Sequence, residues 1–257
     1  MTAQFVDVTE IEGQRVSSEQ LYRTCHRYHW AARLSKGKDV LEIACGSGPG
    51  LGLLSAHARS VVAGDISPEV LERASRTYGD RIPLSVFPAD SLPFNDGQFD
   101  IILIFEALYY LPDIDAFLRE ARRVLTSGGA LLVVTANKDL SDFTASPYSV
   151  RYLGAKDLNT ELTAAGFDPQ IAGLIDISSV SARQRILRPI KALASRLGLV
   201  PKTMRGKELL KRLFFGDMTV MPADISSIPF DYVEPTPLSA ETPDTKHKVI
   251  YCEARRS

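Results

Sequence analysis

The sequence predicts an α/β chain built on a doubly wound, Rossmann-like sheet, and three observations carry that expectation. Short runs rich in Val, Ile and Leu recur between Lys38 and Asn137, near-continuous rather than alternating, as strands covered on both faces require. Stretches of helical length lie between them, opened by Ser or Asp and closed by Gly. The first run ends in "VLEIACGSGPGL" (40–51), where an acid is followed by glycines at every second position, the composition of a tight strand-to-helix turn.

Taken in order, residues 1–36 contain "LYRTCHRYHWAA" and are read as N-terminal cap helices. Five strands follow: "KDVLEIAC" (38–45), "RSVVAGDIS" (59–67), "IPLSVFPAD" (82–90), "FDIILIFEAL" (99–108) and "GALLVVTAN" (129–137). Between them, "SPEVLERASRTYG" has an N-cap in Ser67, Pro68 at the first helical position, and Val70, Leu71 and Ala74 on one face before Gly79. "DIDAFLREARRVLTSGG" repeats the pattern from Asp113, with its stop expected at Gly128 and Gly129. After a polar loop come a helix in "AKDLNTELTAAGF", a sixth strand in "DPQIAGLIDIS" and a seventh in "KHKVIYCEARR". The gap between the last two is about 70 residues, too long for a structureless connection. The expected division is therefore a main domain of 37–176 with 246–257 in a seven-stranded sheet, strand 7 antiparallel, and a helical insertion at 177–245.

The net charge of −1 hides an uneven distribution. Between Val180 and Phe215 ten cations face the single acid Glu208, so that segment is +9 and the remainder −10. Nucleic acid is not an expected partner for so acidic a remainder. The stretch 183–212 suits a solvated lid face, an anionic or lipid-linked acceptor, or an amphipathic contact with a membrane surface. Cys25, Cys45 and Cys252 lack metal or disulfide spacing, and neither a leader nor a membrane span is recognisable, so a cytoplasmic protein is expected.

The glycines call for a ligand that approaches bare backbone, and two cofactor classes use such a site. A dinucleotide fingerprint begun at Gly46 needs glycine at 51, where Leu51 stands. An acid, Glu42, four residues before Gly46, with glycines two apart, instead resembles motif I of the class I S-adenosylmethionine-dependent methyltransferases. Asp65 in "GDIS", Asp90 and Ser91 in "PADSLPF", "FDIILIFEALYYL" and "RVLTSGGALLVV" match further motifs of that family in the right order. The resemblance runs from about Val40 to Asn137, and within the family it is to the bacterial type 11 branch, whose members act on small molecules.

The resemblance implies S-adenosyl-L-methionine as cofactor, held by Glu42, Ala44, Gly46 and Gly48. Asp65 would accept the ribose hydroxyls beside Ile66, with Asp90 and Ser91 at the adenine. Tyr22 or His29 of the pre-motif helix would cover the amino-acid end. Transfer from a sulfonium needs alignment above all, and a hydroxyl acceptor adds a base. Glu106 and Tyr109, directly after the fourth strand, and His26 are the candidates for catalysis. The expected reaction is O-methylation of a saccharide, glycan precursor or related metabolite. The rivals are an NAD(P)-dependent oxidoreductase and a catalytically silent cofactor-binding partner subunit.

Overall fold

The structure is a computed structural model that describes residues 11–177 and 218–257. The strand β1 (Arg15–Ser17) leads into α1 (Ser18–Leu34), followed by β2 (Asp39–Ile43), α2 (Leu51–Ser55), β3 (Ser60–Asp65), α3 (Pro68–Tyr78) and β4 (Leu84–Val86). Then come β5 (Phe99–Phe105), α4 (Ile114–Val124), β6 (Leu125–Ala136), α5 (Ala155–Ala164), β7 (Phe167–Asp176), β8 (Met218–Val220), β9 (Thr236–Pro237) and β10 (His247–Arg256).

The main sheet runs β4-β3-β2-β5-β6-β10-β7-β9. Strands β2 to β6 are parallel, and β10 lies antiparallel between β6 and β7, with Cys252 opposite Val133 on one side and Ile171 on the other. Alternate residues of each strand feed two cores. Val40, Leu103, Leu132 and Tyr251 pack with Tyr28, Trp30 and Ala31 of α1, whereas Leu41, Ile102, Leu131 and Ile250 pack with Phe117, Leu118 and Val124 of α4 and Leu158 and Leu162 of α5. This two-sided burial explains the unbroken apolar runs, each fully buried Leu, Ile, Val or Phe contributing about 1.5–3 kcal/mol. Parallel strands fan to both sides of β2, so the carboxyl ends of β2, β3 and β5 meet at the switch point where α/β sheets place ligands.

Several expectations need correction. The third strand shrinks to Leu84–Val86, because Pro83 and Pro88 flank it and cannot donate to a ladder. Helix α4 stops at Val124 rather than at the glycine pair. Leu125 is already extended and pairs with Phe99, so Gly128 and Gly129 lie in an irregular stretch of β6 before Ala130 rejoins opposite Ile101. The sheet gains an eighth strand, since β9 adds to the outer side of β7 at Gly173 and Thr236; its proline is tolerated on an edge. Ahead of the first main strand there is one described helix, α1, whose N-cap Ser17 accepts from the Gln20 amide at 3.1 Å, and not several. Its leading strand β1 pairs with β8.

Of the expected helical insertion, residues 218–245 carry β8, β9 and irregular chain with turns; Ile225, Ile228, Phe230 and Tyr232 pack against the α1 side of the sheet. The rest of that expectation, including the basic stretch 183–212, lies outside the described residues. Among the described residues no helix is long and apolar enough to cross a membrane.

Candidate active site

The glycine turn leaves β2 through Ala44, whose φ is +57°, and then through Gly46 and Gly48 at +59° and +71°. Left-handed backbone costs an alanine roughly 1–2 kcal/mol, so this conformation is held by its surroundings. Asp65, the last residue of β3, does part of the holding. Its Oδ2 accepts from the Gly46 amide at 3.0 Å and its Oδ1 from the Ser67 amide at 2.9 Å. The carboxylate therefore ties the glycine turn to the start of α3, while burial pushes its pKa up. Each oxygen keeps a second lone pair. Ile66 next to it is half exposed, and Asp90 and Ser91 stand on an exposed turn beyond β4.

Glu42 sits one residue before the end of β2 and is 1% exposed. The Tyr28 hydroxyl donates to its Oε1 at 2.5 Å, while Oε2 has no hydrogen-bond partner. Burial raises the Glu42 pKa to about 7, opposed by the Tyr28 hydrogen bond and Arg27 and reinforced by Asp65.

On the neighbouring strand Glu106 follows β5 with φ +51° and donates its amide to the Val134 carbonyl at 2.7 Å. Its Oε1 pairs with Arg23 of α1, and its Oε2 accepts from the Tyr109 hydroxyl at 3.3 Å. The Tyr109 ring stacks on Tyr152 at 4.1 Å, and the Tyr110 hydroxyl meets Ser146 Oγ at 2.6 Å. Burial pushes the Tyr109 hydroxyl well above the usual phenol range, so it serves as a donor and not as a base.

The structure thus brings Glu42, Ala44, Gly46, Gly48 and Asp65 to one sheet edge, and Glu106 and Tyr109 to the strand end beside them. It does not bring His26 there. His26 is fully buried, its Nδ1 on the Tyr251 hydroxyl at 2.9 Å and its Nε2 on the Val233 carbonyl at 2.7 Å. The carbonyl demands a proton on Nε2, so Nδ1 accepts from Tyr251, and no nitrogen remains to take a proton from a substrate. The expectation of His26 as a base is therefore corrected to a structural role.

Tyr22 and His29 of α1 both make ring contacts with Phe230, at 5.3 and 4.9 Å. The members of α1 that do engage the acidic strand ends are Tyr28, one of the aromatics offered by "LYRTCHRYHWAA", and Arg23 and Arg27, which are not among the expected site residues. The available signal was the arginine spacing, because residues four apart share a helix face.

Residues 41–133 match the model of a family described as "Methyltransferase domain". This segment is a class I methyltransferase domain of the type 11 branch. S-adenosylmethionine is the cofactor of such methyltransferase domains.

A probable S-adenosylmethionine-dependent methyltransferase of Mycobacterium tuberculosis is 32% identical over 152 residues, 57% of this chain and 55% of that protein. The 27-O-demethylrifamycin SV methyltransferase of Amycolatopsis mediterranei is 36% identical over 104 residues, 38% of each chain. The chain thus spans about half the length, or less, of these curated relatives. In fold, the methyltransferase domain and its flanks are similar to a crystal structure of an S-adenosylmethionine-dependent methyltransferase from Archaeoglobus fulgidus, at TM-score 0.58 and 14% identity over 93% of this chain and 95% of that one.

Proposed function

We propose that this protein transfers the methyl group of S-adenosylmethionine to a small-molecule acceptor, and that the acceptor atom is a hydroxyl of a saccharide, glycan precursor or related metabolite. The observation that carries the proposal is the convergence of Glu42, Asp65 and Glu106 at the carboxyl ends of β2, β3 and β5. The groups present fit the cofactor. Asp65 keeps a lone pair on each oxygen for the two ribose hydroxyls, Ile66 offers an exposed apolar surface to the adenine, and Asp90 and Ser91 supply polar groups for its edge. The turn at Gly46 and Gly48 admits the ligand to the main chain, and Glu42 Oε2 is a buried acceptor for the ammonium of the amino-acid end. When bound, the cofactor supplies an electrophilic methyl carbon on a sulfonium.

The chain's own residues hold and align the reactants. Glu106, steadied by Arg23 and Tyr109, takes the acceptor hydroxyl proton as the carbon–oxygen bond forms and the carbon–sulfur bond breaks, leaving a neutral thioether. The donor site belongs to the part made of 37–176 with 246–257. The +9 charge of residues 180–215 supports an anionic or lipid-linked acceptor, and the unbridged, buried cysteines support a reducing cytoplasmic setting.

Calorimetric titration with S-adenosylhomocysteine, with NAD as control, tests the donor. Micromolar binding of the first alone is expected, and binding of NAD alone overturns the reading. Incubation with methyl-labelled cofactor and cell extract tests the acceptor. Label in small polar or lipid-linked saccharides supports the proposal, whereas label confined to protein or nucleic acid rejects it.

A further inference from the structure

The third glycine of the turn is occupied from within the protein. A Cβ at Gly50 would lie 2.1 Å from both Cγ and Cδ1 of Tyr28 and 2.4 Å from its Cδ2, so the phenol ring lies directly on the Gly50 backbone. The far end of the same side chain donates to Glu42 Oε1 at 2.5 Å. Tyr28 is a buried strut between the glycine turn and the end of β2, carried by α1. It leaves Glu42 Oε2 shut off from solvent with no hydrogen-bond partner, an arrangement that favours a ligand able to donate to it. The other groups acting on Glu42 are Arg27 of α1, which attracts its charge, and Asp65 of β3, which repels it; the Cys45 thiol of the turn and the Tyr78 hydroxyl of α3, which donates to the Gly48 carbonyl at 2.7 Å, also interact with it.

We propose that Tyr28 is a positioning residue of the donor site: by fixing Oε1 of Glu42 and covering Gly50, it presents Oε2 to the ammonium of the cofactor's amino-acid end. This rests on the reading of the site as one for S-adenosylmethionine. Occupancy of the donor site is thereby linked to the seating of α1, which also carries Arg23 to Glu106.

The test compares two ligands by calorimetry. S-adenosylhomocysteine has the ammonium, whereas 5′-methylthioadenosine has the same adenosine thioether without the amino-acid end. Tyr28→Phe keeps the ring on Gly50 and removes the hydroxyl. It is expected to weaken S-adenosylhomocysteine at least tenfold near neutral pH and to leave 5′-methylthioadenosine within twofold. Because the lost hydrogen bond favoured the Glu42 carboxylate, the rise of S-adenosylhomocysteine affinity with pH should also move to higher pH in the variant.

Gly50→Ala, which pushes the ring away and keeps the hydroxyl, should show the same ligand selectivity and provides the measurement if Tyr28→Phe does not fold. Equal weakening of both ligands, or of neither, overturns the proposal and leaves Tyr28 as packing alone. A wild-type protein that binds neither ligand overturns instead the methyltransferase reading beneath it.

Discussion

Ala44 and Glu106 are the first residues after two adjacent parallel strands, and both hold left-handed backbone, with φ +57° and +51°. Neither is glycine, so each position stores strain of order 1–3 kcal/mol that the surrounding fold must overcome. The physical effect is to turn the chain off the sheet within one residue, which keeps the glycine turn and the Glu106 carboxylate at the same edge.

Relief or aggravation of that strain at Ala44 is measurable. Ala44→Gly is expected to gain about 0.5–1 kcal/mol in urea unfolding, because the left-handed penalty disappears faster than unfolded-chain entropy grows. Ala44→Val is expected to lose about 1–3 kcal/mol through β-branching at positive φ. Equal stability of the three proteins would show that the turn relaxes freely.

Asp65 holds the fold through the same two oxygens that are proposed to hold the ribose. Asp65→Ala removes the acceptor for the Gly46 and Ser67 amides and should cost about 1–3 kcal/mol of stability. It should also weaken S-adenosylhomocysteine at least tenfold, about 1.4 kcal/mol. Asp65→Asn, which keeps one acceptor oxygen, should fall between the two. A thermal melt and a titration of each variant check both halves.

Glu42 makes stability depend on pH in an unusual direction. Its folded pKa of about 7 lies above that of the unfolded chain, so between about pH 4.5 and 7 the native state binds the extra proton. The contribution is complete below the unfolded pKa and is lost as pH rises toward 7, at up to about 1.4 kcal/mol per pH unit. Glu42→Gln should abolish this loss, so the stability difference between variant and wild type should grow from pH 4.5 to 7 and then level off. A difference independent of pH would mean that Glu42 titrates normally.

The fold was legible because burial on both faces writes itself into strands as continuous Val, Ile and Leu, and because Ser67 and Asp113 cap their helices in the expected way. The turn after β2 was legible for a related reason: glycine takes positive φ without penalty, as Gly46 and Gly48 do. What stayed hidden was tertiary. Whether a histidine is a base or a core residue depends on partners 207 and 225 residues away, as His26 shows with Val233 and Tyr251. Gly50 continues the every-second-position glycine pattern, but its missing side chain makes room for Tyr28. The arginine of the Arg23–Glu106 pair could not be distinguished from a solvated surface charge, since its partner is 83 residues on.

That pair bears the most direct prediction about chemistry. Arg23 and Tyr109 engage different oxygens of Glu106, so the carboxylate is fixed in orientation before any acceptor arrives. Glu106→Gln keeps the shape and removes the capacity to take a proton, and should lower methyl transfer to a hydroxyl acceptor about 10²–10⁴-fold. S-adenosylhomocysteine binding should change little, because the donor site proposed above does not use Glu106. Arg23→Gln leaves the carboxylate present but mobile, with an intermediate loss expected. In a double-mutant cycle the two changes should be strongly non-additive, the second costing little once the first is made. The measurement is transfer of labelled methyl to the extract-derived acceptor under single-turnover conditions. Full transfer by Glu106→Gln would remove Glu106 from the chemistry and leave alignment alone as the source of rate.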